Sequence, residues 1–159
     1  MDNFGNINIS IPLFDMGQPS EKDAYITVAR DLLQGVEVLS NFNNINHRAC
    51  ALIAAHALEC ALKAFLWHKG KKQEILKREV RHNLIKLWNM SYQEHTLNIQ
   101  EPAPEWVKIL SVGHGPNFYF RYQKGENKIV VNGGQTPELT SMAIELKAIV
   151  EKVEHVIKF

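Results

Sequence analysis

The sequence predicts one mostly α-helical domain whose longest helices pack as a bundle. Two patterns carry that expectation: an apolar run from Ala49 to Trp67, and a C-terminal segment with sustained helical periodicity. Composition agrees, with 45% hydrophobic and 22% charged residues in a chain of 159, long enough to bury a substantial core and wrong for a disordered chain. No internal repeat, low-complexity tract or second domain is visible. The expected organisation is an extended N-terminal arm over residues 1–19 and a single domain over residues 20–159.

In the arm, Asn6, Ile7, Asn8, Ile9, Ser10 and Ile11 alternate polar and apolar, which suits a short strand or extended segment. Pro12 and the Gly17-Gln18-Pro19 stretch end it. Ser20 is placed to cap a first helix, with Asp23 in the reciprocal position of a capping-box variant. Steps of three and four along Tyr25, Val28, Leu32, Val36 and Leu39 predict its inner face. The Asn-rich stretch from Asn41 to Asn46 ends it.

The second helix is expected from about Asn46 to Lys69, with Gly70 as its C-terminal cap. It is apolar nearly all round, so neighbouring elements must enclose it. His56, Glu59 and Lys63 interrupt the run, which favours a core helix over a membrane span. Cys50 and Cys60 both lie on it, ten positions or ~15 Å apart along a helix, beyond disulfide reach. They are expected to be buried thiols, as suits a reducing compartment. Met1 to Pro19 lacks a cationic start followed by an apolar core, so no secretory signal is read there and a cytoplasmic location is expected.

A basic connection follows, with room for a short helix around Glu74 to Glu79. A third helix is expected from near Asn83, its inner face formed by Leu84, Leu87, Trp88 and Tyr92. Pro102-Ala103-Pro104 suits the first turn of a fourth helix carrying Trp106, Ile109 and Leu110, which Gly113-His114-Gly115-Pro116 stops. Phe118 to Gln123 and Lys128 to Val131 suggest a short β-hairpin around Lys124-Gly125-Glu126-Asn127. The final helix begins at Thr136-Pro137-Glu138 and turns Leu139, Met142, Leu146, Ile149, Val150, Val153 and Ile157 inward.

Two stretches read together as AHALECALKAFLWHKG, Ala55 to Gly70, and RHNLIKLW, Arg81 to Trp88. An apolar helix carrying His-Ala-Leu-Glu and Leu-Lys-Ala, a short basic link, and a helix opening on His-Asn-Leu resembles the HEPN superfamily. Phe118-Tyr119-Phe120-Arg121-Tyr122 before a long terminal helix adds to the resemblance, which spans roughly Ser20 to Phe159. It implies an up-and-down bundle of four to five helices, often dimeric. It further implies either a metal-independent ribonuclease of toxin–antitoxin and defence systems, or an RNA- or nucleotide-binding module without catalysis. Ribonuclease members carry an Arg, four to six residues, then a His. Here Arg48 to His56 has seven intervening residues and Arg78 to His82 has three, so a non-catalytic member is expected.

Four groups of residues are candidates for chemistry. Arg48, His56, Glu59 and Lys63 fall within an arc of roughly 80° on the second helix, a polar seam that suits either phosphate binding and acid–base work or a structural ion-pair network. The basic link holds eight Lys/Arg from Lys63 to Lys86, among them Lys71, Lys72, Arg78 and Arg81, against Glu74 and Glu79: a segment of +6 in a chain of +1. With His82 it is the expected contact for RNA or a nucleotide. Arg121 with Tyr119 and Tyr122 suits base stacking, or anchoring of the hairpin. His114, between two glycines, reads as a tight turn with an incidental imidazole. No metal site and no cofactor are expected. Homodimerisation is expected, and the alternative function is a protein-interaction module that uses the arm to bind a cognate antitoxin or a nucleotidyltransferase-like partner. The outsider is a metal-independent ribonuclease using His56 or His82 with Arg48, Arg78 or Arg81.

Overall fold

A computed structural model describes residues 20–41, 47–115 and 137–158. Among them are five α-helices: α1 (Glu21–Ser40), α2 (His47–His68), α3 (Leu84–Gln93), α4 (Glu105–His114) and α5 (Leu139–Lys158). A six-residue π-helix, Ile75–Val80, lies between α2 and α3. The protein is mostly helical, as its periodicity predicts. The N-terminal arm, the hairpin and Arg121 lie outside the described residues.

Helix α2 is the hub. It packs against α1, α3, α4 and α5, while α1 packs on α5 and α3 on α4. That is why it is apolar on every side: Leu58, Leu62, Phe65 and Leu66 are completely buried. Burial of side chains that size stabilises by about 1.5–3 kcal/mol each. Ala51, Ala54, Ala55, Ala57, Ala61 and Ala64, all at 0% exposure, keep the helix slim enough for four neighbours to approach. By length and composition α2 is apolar enough to cross a membrane, yet 78% of that window is buried within the bundle. Cys50 and Cys60 are buried, unpaired thiols on it. Burial pushes the Cys60 thiol up to about 12, the charge of Glu59 adding to the effect and that of Lys63 opposing it.

Most helix ends behave as their sequences predict; the exception is α4, where Pro104 is the N-cap and neither proline lies in the first turn. Ser20 Oγ accepts from the Asp23 N–H at 3.3 Å, and the two side chains bond to each other. Asn83 caps α3 by accepting the Lys86 N–H at 2.9 Å. At the end of α2, Lys71 N–H reaches the Leu66 carbonyl and Gly70 N–H the Trp67 carbonyl, with Gly70 at φ +80°. This is the Schellman pattern, and the left-handed residue is where glycine avoids a Cβ penalty. The cap of α5 is Glu138, whose carboxylate accepts the Thr140 and Ser141 N–H groups; the Ser141 side chain first, and then these two N–H groups, hold it down at about 2.

One helix face is displaced from expectation. The buried residues of α1 are Ile26, Ala29, Leu33 and Val36, whereas Val28 is 40% exposed and Tyr25, Leu32 and Leu39 sit at the edge of the core. Apolar residues cover a wide arc of α1, and small Ala29 rather than larger Val28 sits deepest. The inner face of α5 matches expectation from Leu139 to Val153, with Ala143 joining it, while Ile157 is only partly buried. On α3, Leu84, Leu87 and Trp88 are buried as expected, with Tyr92 less so. Trp88 meets Trp106 of α4 edge-to-face at 6.4 Å. Each indole finds an acceptor, Trp88 the Gln100 carbonyl at 2.8 Å and Trp106 the Glu145 carboxylate at 2.6 Å.

Candidate functional site: a buried glutamate with two imidazoles

The polar seam of α2 does not face solvent. Glu59 is 4% and Lys63 6% exposed, in a helix whose other buried positions are all apolar. Lys63 Nζ donates to Glu59 Oε1 at 2.5 Å, one helical turn away. The other oxygen, Oε2, takes two imidazoles from distant parts of the chain: His82 Nδ1 at 3.0 Å and His114 Nε2 at 2.5 Å. One carboxylate thus joins α2, the start of α3 and the end of α4.

Burial by itself would raise the pKa of Glu59. The hydrogen bonds from His114 and Lys63, the charge of Lys63 and the His82 bond together outweigh it and hold the carboxyl at about 2. Glu59 is therefore an anion at neutral pH, and an unpaired buried anion would be very costly. The three donors are what permit it there.

His114 corrects the sequence reading. It is not an incidental turn residue but the last residue of α4, 1% exposed, with its imidazole on Glu59. Its Nδ1 is buried and has no hydrogen-bond partner among the described residues. The glycine after it is required for a different reason than a turn: a Cβ on Gly115 would stand 2.9 Å from the Ser111 carbonyl oxygen. His56, half-buried, sets its ring edge-on to His114 at 6.1 Å, and His82 does the same from 5.5 Å. Arg48 is half-buried on the first turn of α2. The seam therefore splits: Glu59 and Lys63 form the buried centre, His56 lies against it, and Arg48 stands further along the helix, on its first turn.

His82 is the exposed member, with 36% of its side chain accessible. The backbone that delivers it is irregular. The π-helix ends at Val80, and Arg81 follows at φ 51°, a left-handed conformation that costs a non-glycine residue about 1–3 kcal/mol. Such irregularities cluster where a side chain must be aimed. Here the turn carries the chain from the π-helix to Asn83 with His82 directed at Glu59.

The basic link is less positive in the fold than in the sequence. Lys63 is neutralised by Glu59, Lys71 pairs with Glu94 at 2.8 Å and Lys77 with Glu21 at 3.3 Å. Five cations remain, Lys69, Lys72, Arg78, Arg81 and Lys86, facing Glu74 and Glu79 within the same stretch, for a residual +3. Lys72, Arg78, Arg81 and Lys86 are exposed and join no carboxylate among the described residues. Arg81 Nε donates to the Arg78 carbonyl at 3.2 Å.

Fold and site together define a helical bundle built around a buried Glu–Lys–His–His network with one imidazole at the surface. Comparison with protein-family models, curated proteins and solved structures finds no match for this chain.

Proposed function

We propose that this chain is a HEPN-like, non-catalytic bundle that binds RNA or a nucleotide through His82 and the exposed cations beside it, in the cytoplasm. The observation that carries the reading is the placement of His82. A buried carboxylate fixes its Nδ1 at 3.0 Å, and the imidazole stands at the opening of α3 within the segment carrying Lys72, Arg78, Arg81 and Lys86. Phosphate recognition needs that combination: cations that release counter-ions, and an oriented donor that fixes register. Lys71 and Lys77 contribute less, because carboxylates already hold them. Free thiols at Cys50 and Cys60 suit a reducing compartment.

The test is fluorescence anisotropy with single-stranded RNA, and separately with ATP, at two salt concentrations. Binding should weaken with salt and fall about tenfold or more in Lys72→Glu/Arg78→Glu, positions outside the core. Binding indifferent to both overturns the reading. The same RNA reports catalysis: intact RNA supports a binder, whereas cleavage abolished by His82→Ala makes the ribonuclease reading the correct one.

A further inference from the structure

The Glu59 cluster has the donor set of a metal centre as well as that of a hydrogen-bond network. One ligand-type atom from each of Glu59, His82 and His114 lies within 4.8 Å of the others. Two imidazoles and a carboxylate, from three separate elements, match the three-ligand set of open zinc sites. We propose that Glu59, His82 and His114 bind a zinc ion, with the fourth position on the half-exposed His82 side.

The geometry is close to what an ion needs. With zinc–ligand bonds of about 2.0–2.1 Å in a tetrahedron, neighbouring ligand atoms stand about 3.3 Å apart. The Glu59 oxygen is now 3.0 Å from His82 and 2.5 Å from His114, so each gap opens by less than about 1 Å. The ligands are already held in place: Glu59 by Lys63 on its other oxygen, His114 by the end of α4, His82 by the turn at Arg81. Among the described residues Nδ1 of His114 is buried without a hydrogen-bond partner, so of these only Glu59 holds that imidazole through a hydrogen bond. Lys63 is the built-in opponent, because its ammonium shares the carboxylate with any incoming cation. This inference does not rest on RNA binding, and either can fail alone.

The experiment uses the full chain free of any histidine tag. Zinc is added, free metal is removed by gel filtration, and bound zinc is measured per chain. Cobalt(II) then replaces zinc, and its visible absorption reports the coordination geometry. One zinc per chain is expected, with a four-coordinate cobalt spectrum. His82→Ala, the variant least able to disturb the core, should lose the spectrum and weaken zinc binding by about a hundredfold. Lys63→Met should tighten it by about tenfold. No retained zinc overturns the proposal. So does zinc retained equally by His82→Ala, which would place the ion on other histidines.

Discussion

Glu59→Gln is the substitution that probes the bundle hardest, and its effect can be worked from the structure. The native carboxyl is held at about 2 against an ordinary 4.5. A difference of roughly 2.5 pH units corresponds to about 3 kcal/mol of folding stability at neutral pH. The sign follows from the direction. A depressed carboxyl contributes its full stability above the unfolded value and loses it as pH falls through the folded one, so the window runs from about 4.5 down to about 2. Glutamine also leaves the buried Lys63 ammonium without its counter-charge. Breaking a buried pair from one side costs about 3–5 kcal/mol, and the two estimates describe one loss rather than two. We therefore expect Glu59→Gln to lower the urea-unfolding free energy at pH 7 by about 3–5 kcal/mol, measured by helical circular dichroism. At pH 3 linkage leaves only about 1.4 kcal/mol of the carboxylate contribution, so the parent and the variant should converge on acidification. Adding Lys63→Met to Glu59→Gln should recover part of the loss, because no buried charge is then left alone. A difference under about 1 kcal/mol at pH 7, or one that stays constant down to pH 3, would refute the argument.

Gly70→Ala should destabilise by about 1 kcal/mol, read as a lowered urea midpoint at constant slope, because a Cβ must enter the left-handed region. Nothing lies within 4 Å of that Cβ, so a larger loss would mean that more than backbone conformation is at stake. Cys50 and Cys60 should resist a thiol-reactive dye at pH 8 in the native protein and react fully in urea, since burial raises both thiols and Cys60 to about 12. Fast native labelling at either position would contradict the packing of α2.

Much of the fold is written locally. The step of three and four in α5, the Ser20 and Asn83 caps, and the glycine that closes α2 are all properties of residues within a few positions of one another. Such signals survive in a linear reading because hydrogen bonds and side-chain periodicity within a helix depend only on near neighbours. Even α1 shows the limit: its apolar arc is wide enough for two neighbouring faces, and packing against α2 and α5 chose the one led by Ala29.

The site divides along the same line. Glu59 and Lys63, four residues apart, were recognisable as one seam on one helix, and His82 stood out by its basic surroundings. That the seam faces inward was decided by four elements closing around α2. His114 carried no usable signal: its flanking glycines suggest a turn, and its role depends on a partner 55 positions away. Charge was misleading in the opposite sense, since the link's +6 includes lysines that Glu21, Glu59 and Glu94 hold in the fold. Residue types and helical register are determined by the sequence itself, because they act over one or two turns. Which ionisable groups share a buried point is decided only by the tertiary fold, because desolvation and pairing depend on distance in space and not along the chain.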